Sequence, residues 1–262
     1  MTTSSSLPSP HARKPRAGRE IAARVALLLG AAGLLGAIAS GLGARLGLWH
    51  FRTGFVILTW SAYGGIAAAL ISLAVLAWLR GSRPLRTSAM ALAGLVLAFA
   101  SFAYPLYLRH LGQSLPRIHD ITTDFENPPA FVAVVPLRVG AENPVAYSGA
   151  ATAKLQEEGY PGIATLHLAA PPAEVFKAAL LLVTDDGWQV AAAVPAEGRI
   201  EATATTFWYG FKDDVVIRIA ADGERTKVDM RSESRVGRSD LGVNARRVAA
   251  FLAALKGRLA AS

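Results

Sequence analysis

The sequence predicts a membrane α-helical N-terminal part, with three transmembrane helices, joined to an α+β C-terminal domain built on an antiparallel sheet with two helices. Three observations predict it. Of the 262 residues 52% are hydrophobic and only 18% charged, which is too apolar for an ordinary soluble chain. The formal charge of +8 is uneven: residues 1–117 hold twelve Lys/Arg against Glu20 alone, 118–161 hold two basic and six acidic side chains, and 162–262 hold thirteen and twelve. Beyond residue 162, short alternating runs and two amphipathic stretches replace the long apolar ones.

Three uncharged runs are long enough to cross a bilayer: Val25–Ala44, Gly54–Leu79 and Thr87–Leu108. The first follows Arg13, Lys14, Arg16 and Arg19, as the core of a signal peptide would. It is longer than such a core and two more spans follow, so an uncleaved anchor is expected. Gly30, Gly33, Gly36, Ser40, Ser61 and Gly65 recur at three- and four-residue spacings, which lets helix backbones approach closely. No ionisable residue interrupts any run. Such residues mark ion and proton pathways, so transport is not expected.

Basic flanks set the expected orientation. The tail, residues 1–24, carries Arg13, Lys14, Arg16, Arg19 and Arg24, and the second loop carries Arg80, Arg83 and Arg86, whereas the first loop has only Arg45 and Arg52. Positive flanks stay inside. The tail is therefore expected in the cytoplasm, and the region after the third span across the membrane, although Arg109 and Arg117 pull the other way. Because the basic excess belongs to these flanks, the expected partner is the lipid bilayer and not nucleic acid. The chain has no cysteine, which excludes disulfides, thiol nucleophiles and cysteine-ligated metal.

Residues 109–161 contain Pro116, Pro128, Pro129, Pro136, Pro144 and Pro161, a spacing that favours extended chain with turns. Ile118, Ile121, Phe125, Phe131, Val132, Val134 and Val135 make it too apolar for a free linker, so it is expected to pack on the domain at 162–262. In that domain Ile163–Leu168 reads as a strand. Pro171 and Pro172 open a helix with Val175, Phe176, Ala179, Leu180 and Val183 on one face, ended by Gly187. Trp188–Val194 and Arg199–Thr206 alternate around PAEG, and Val215–Ala220 and Arg225–Ser234 around Asp222-Gly223, giving two hairpins. A last helix from about Asn244 has Val248, Phe251, Leu252, Leu255 and Leu259 on one stripe. Val215, Ile217, Ile219, Val228 and Met230 are expected inward, and Lys227, Asp229, Arg231 and Glu233 outward. The order is similar to that of helix-grip domains, in which a sheet wraps a terminal helix.

The stretch RSESRVGRSDLGVNARR, residues 231–247, joins the last strand to the last helix and is the main candidate site. Asn244 is the expected N-cap, with Asp240 and Ser239 as alternatives. Arg235, Arg238, Arg246 and Arg247 converge on the free N–H groups of a helix start, which is how an anion site is built. Arginine there opposes the helix dipole. The competing reading pairs these arginines with Asp213, Asp214, Glu233 and Asp240 as a structural junction. The candidate ligand-binding set is Arg235, Arg238, Ser239, Asp240, Asn244, Asp213 and Asp214. A catalytic Ser239/Asp240 pair lacks a neighbouring histidine as base, so no catalytic residue is assigned.

Elsewhere, His119, Asp120, Asp124 and Glu126 form the one compact His/carboxylate cluster, but their spacing matches no standard metal loop. Asx-type turns are the commoner use of such residues. No metal and no cofactor are expected. His167 falls mid-strand as a packed or edge histidine, and FWYGF, residues 207–211, reads as a core or membrane-facing aromatic cluster.

FKDDVVIRI (211–219), SRVGRSDLGVNARRVAAFLAAL (234–255) and IHDITTDFENPPAF (118–131) resemble the distinctive segments of a bacterial family known as domain of unknown function fourteen-ninety-nine. The resemblance covers residues 118–262 and implies that Asp213, Asp214, Arg235, Gly237, Ser239, Asp240 and Asn244 occupy motif positions. It also implies hydrophobic N-terminal segments, and it brings no activity. Taken with the spans, it leads to the expectation of a multi-pass inner-membrane protein whose periplasmic domain binds or scaffolds, with a lipid, an anionic envelope ligand or an envelope protein as partner. The alternatives are an envelope hydrolase using His119/Asp120 with Ser239/Asp240, and a structural subunit of a membrane complex.

Overall fold

A computed structural model describes residues 14–80 and 84–260 and divides the chain into two compact units, residues 1–108 and 109–262. Arg13 and Arg83, counted above among the basic flanks, lie outside the described residues.

The first unit is built on helices α1 (Lys14–Arg45), α2 (Phe51–Trp78) and residues 85–108 of α3 (Leu85–Ser114). All three are long and apolar enough to cross a membrane. α1 and α3 extend past their apolar runs at both ends, so residues 14–24 of the expected tail are helical, while α2 starts before its run and ends at Trp78. Their buried positions follow a three–four spacing: Ala23, Ala26, Gly30, Gly33, Ala37 and Ser40 on α1, Gly54, Leu58, Ser61, Gly65, Ala68, Ser72 and Val75 on α2, and Thr87, Ala91, Gly94, Ala98 and Ser101 on α3. Nearly all are small. A Cβ added at Gly30 would lie 2.8 Å from the carbonyl oxygen of Gly94, and one at Gly33 would lie 3.0 Å from that of Ser61, so close backbone approach depends on these glycines. Large apolar side chains point outward instead, with Leu28 68% and Trp60 70% exposed. Small residues inside and large ones outside is the arrangement a lipid-facing bundle requires.

The second unit holds a six-stranded antiparallel sheet: β1 (Asp120–Thr122), β2 (Leu166–Leu168), β3 (Gln189–Val194), β4 (Arg199–Thr205), β5 (Lys212–Asp222) and β6 (Arg225–Ser234). Helices α4 (Ala150–Gly159), α5 (Pro172–Asp185) and α6 (Val243–Ala260) complete it. The order is β1-β6-β5-β4-β3, with β2 also on β6. The two expected hairpins are thus one meander, because β4 pairs with β5 from Arg199↔Arg218 to Thr205↔Lys212. The other edge of β6 is filled by β1 at 231–233 and β2 at 226–228.

One face of the sheet carries the core. Val215, Ile217, Ile219, Val228 and Met230 pack with Val175, Phe176, Ala179 and Val183 of α5 and Val248, Phe251, Leu252 and Leu255 of α6, as their periodicity predicts. The other face departs from expectation. Asp229, Arg231 and Glu233 do lie opposite Met230, yet they are fully buried. The cause is the chain before the domain, which forms β1 and then crosses this face as a strap, residues 123–147. Phe131 and Val134 of the strap pack on Val216 of β5.

Two buried side chains fasten it. Glu201 of β4 accepts the backbone N–H groups of Val132, Ala133 and Val134, each at 3.0 Å. Gln156 of α4 accepts from the Thr122 N–H at 3.0 Å and donates to the Thr122 carbonyl at 2.7 Å. Its amide thereby takes the place of a strand on the open side of β1.

Candidate functional site

The arginine-rich corner is reached at the end of β6. Asn244 sits in the first turn of α6 but is not the cap. Asp240 takes that role, accepting from the N–H of Gly242 at 3.0 Å and from the N–H of Asn244. Acceptor and donor spacing explain the exchange: a carboxylate preceding the helix reaches two N–H groups and suits the helix dipole. Burial pushes the Asp240 carboxyl above its usual value, with nearby Asp213 adding to the shift.

Asn244, turned inward and fully buried, accepts from Ser232 Oγ at 2.7 Å and donates to Ser234 Oγ at 2.9 Å and the His119 carbonyl at 3.0 Å. It ties β1, β6 and α6 together. Leu241, at φ 54°, and Gly242, at φ 74°, make the sharp turn into the helix. For leucine that conformation costs roughly 1–2 kcal/mol.

Most of the remaining charged residues of the corner bind each other, whereas Arg246 donates to the Leu241 carbonyl at 3.2 Å. Arg247 donates to Asp213 at 2.7 Å. Asp214, with no exposed surface, accepts from Arg235 at 2.9 and 2.8 Å, Arg138 at 2.7 Å and Thr203 at 2.8 Å. Arg235 also holds the Leu137 carbonyl at 2.7 Å. Ser239 Oγ accepts from the Leu241 N–H at 3.3 Å. Arg238 is exposed. The seven candidate residues are therefore brought to one corner, but Asp240 occupies the helix N–H groups that an anion would use, and Arg235 and Arg247 are engaged by Asp214 and Asp213.

The network continues beneath the strap. Arg138 reaches from Asp214 to Glu233, at 3.0 Å, and to the Asn143 carbonyl. Arg231 makes a two-pronged contact with Asp120 at 2.9 and 2.8 Å and donates to Glu233 at 3.3 Å and to the Val145 carbonyl at 2.9 Å. Burial pushes the Glu233 carboxyl up to about 7, Asp120 and Asp214 adding to the rise while Arg138 and Arg231 oppose it. Asp120 is likewise raised by burial, against the pull of Arg231. Further along, Arg218 bridges Asp229 at 2.7 Å and Asp124 at 2.8 Å. Asp124 also accepts the N–H groups of Glu126 and Asn127, and its carboxyl is lowered by the Asn127 N–H, Lys227 and Arg218 against the effect of burial.

The cluster at 119–126 is thus divided. Asp120 faces Arg231, Asp124 faces Arg218, and His119 contributes its carbonyl to Ser234 and Asn244. Among the described residues no group of three His, Cys, Asp or Glu is placed to hold a metal. Asp120 faces Arg231 beneath the strap and Asp240 caps α6, while the backbone of the two segments runs side by side, the Asp240 N–H donating to the Ile118 carbonyl at 3.2 Å.

Sequence reasoning overlooked Arg138, Glu201, Gln156 and Tyr147. Arg138 and Lys154 are the basic residues of the acidic segment 118–161, and Glu201 is the one acid of β4, two residues from Arg199, with which it pairs; both were available signals. Two clefts flank the strap. One, of about 250 Å³, is bounded by Pro129, Val132, Arg199 and Arg218. The other, of about 620 Å³, is bounded by Phe125, Phe131, Val145, Tyr147 and Arg231.

No curated protein matches the chain. The family described as "Protein of unknown function (DUF1499)" matches residues 120–255, from the first residue of β1, through the strap, to the buried Leu255 of α6. That span is more than half of the 262 residues, and the chain belongs to the DUF1499 family.

Proposed function

We propose that this protein is a multi-pass bacterial inner-membrane protein whose C-terminal domain works in the periplasm by binding or scaffolding and not by catalysis. The observation that carries the reading is the use made of the domain's chemical groups. The serine, carboxylates and arginines that could have formed a reaction centre are spent on one another in ion pairs and caps, while the clefts beside the strap are walled mainly by apolar side chains. A catalytic centre needs a nucleophile within reach of a base; a binding module needs shape, apolar wall and a few oriented donors.

Orientation is supported by the unequal basic flanks. Three membrane-capable helices then carry the chain across an odd number of times. The ligand or partner is a lipid, an anionic envelope component or an envelope protein. Fusions at the C-terminus test the placement: a reporter that works only in the periplasm is expected to be active, and one that works only in the cytoplasm silent. Activity in the reverse pattern overturns the placement. Native mass spectrometry of the full-length protein tests the role, with a retained non-protein or protein mass expected.

A further inference from the structure

The larger cleft, of about 620 Å³, opens between the two arms of the strap, near Phe125–Phe131 and Val145–Tyr147. Phe125, Pro128, Phe131 and Val145 give it apolar walls, and Arg231 lies at its base, its side chain 3% exposed. Four of the guanidinium's contacts are fixed: Nε and Nη2 on Asp120, Nη2 on the Val145 carbonyl and, at 3.3 Å, Nη2 on Glu233. Among the described residues none bonds to Nη1. The rings of Phe131 and Tyr147 flank the guanidinium, their centroids 4.8 and 5.5 Å from Cζ. Beside it the Tyr147 hydroxyl is buried without a hydrogen-bond partner. Burial pushes this phenol up to about 12, so it remains a donor.

An arginine whose orientation is fixed by Asp120, with an uncommitted N–H edge in an apolar cleft, is a recognition group awaiting an oxygen acceptor. We propose that this cleft binds a single apolar chain ending in a carboxylate, with the carboxylate on Nη1 of Arg231 and the hydrocarbon against Phe125, Phe131 and Val145. The inference rests on the binding role proposed above and supplies its site and ligand class.

Charge selects a monoanion. Beneath the strap Arg138, Arg231 and Arg235 face Asp120, Asp214 and Glu233, three against three, and Glu126, exposed to solvent at the cleft, adds a negative charge that disfavours a multiply charged anion. One further negative charge is offset if Glu233 takes up a proton, which it does close to neutral pH. The groups facing Glu233 are Asp120 of β1, Arg138 of the strap, Asp214 of β5 and Arg231 of β6. A phosphate dianion exceeds what this one acid can neutralise.

The test is calorimetric titration of the full-length protein in amphipol with octanoate, acetate and octylammonium, on the wild type and on Ala146→Trp. Ala146 is exposed at the cleft, so an indole there fills the mouth and leaves the buried ion pairs in place. Saturable octanoate binding is expected at pH 6, weaker at pH 8, and weakened about tenfold or more by Ala146→Trp. Acetate and octylammonium are expected not to saturate. No octanoate binding, equal binding by octylammonium or acetate, or octanoate binding untouched by Ala146→Trp overturns the proposal. If Ala146→Trp lowers Tm, Ala130→Trp, exposed on the opposite arm, replaces it. A mass retained equally by wild type and blocked variant in native spectra sinks this site while the broader binding role survives; no retained mass and no octanoate binding sinks both.

Discussion

The two faces of the sheet are buried by opposite means. The inner face is covered by α5 and α6 through Val, Ile, Leu, Phe and Met side chains. The outer face is covered by an irregular strap whose fastening is largely ionic, through Asp120–Arg231, Arg138–Asp214 and Arg138–Glu233, with Glu201 gripping the strap's backbone. Apolar packing tolerates small shifts in partner position, and its strength grows with area buried. Buried ion pairs contribute little net stability but penalise any arrangement that leaves a charge alone. The helices therefore hold the sheet together, and the charges dictate where the strap lies.

Breaking this contrast on the outer side gives the largest expected effect. Asp214→Ala leaves Arg138 and Arg235 without their shared carboxylate and is expected to cost about 3–5 kcal/mol. Hydrogen exchange is expected to show the loss first in residues 132–138, ahead of β5 and β6. Loss of protection across all strands at once would mean that strap and sheet are one cooperative unit. On the inner side Ile217→Ala is expected to cost about 2–5 kcal/mol, read as a drop in Tm with exchange rising evenly over the sheet.

A smaller effect separates charge from shape. The Glu233 carboxyl is raised from 4.5 to about 7 in the folded protein, so the folded state binds its proton more tightly than the unfolded state does. Its contribution to stability is complete below the ordinary carboxylate range and is lost as pH rises through about 7. Glu233→Gln keeps the shape and removes the titration. Across pH 5 to 8 the wild type is expected to lose more Tm than the variant, by about 3 °C or more. Parallel curves would remove Glu233 from the account. Asp124, lowered in the folded state, acts in the opposite direction and loses its contribution on acidification.

Much of the inner face was legible in the sequence, because periods of two and of three to four residues report which side chains meet a core. Val215, Ile217 and Ile219, and the stripe from Val248 to Leu255, are packed where their spacing places them. The same logic misread the outer face. Lys227, Asp229, Arg231 and Glu233 alternate in sign as a solvated face does, and nothing local distinguishes that pattern from one whose counter-charges arrive from residues 120, 124 and 138. The corner was located, but its cap was assigned to Asn244 when Asp240 performs it; both residues favour that position, and only the inward hydrogen bonds of Asn244 decide between them. The cleft was invisible, since its walls come from two arms of an aperiodic segment and its base from β6.

The strap also fixes an order of events. Asp120 and Arg231 are 111 residues apart, and Arg138 and Glu233 are 95 apart. A growing chain therefore presents Ile121 and Arg138 roughly 5–20 seconds before β6, which pairs with the first and supplies Glu233 to the second, has been synthesised. Throughout that interval Arg138 lacks Glu233 and β1 lacks its partner strand. The domain is closed by the last of its strands to be made, and a chain truncated before β6 leaves the ribosome with its strap still open.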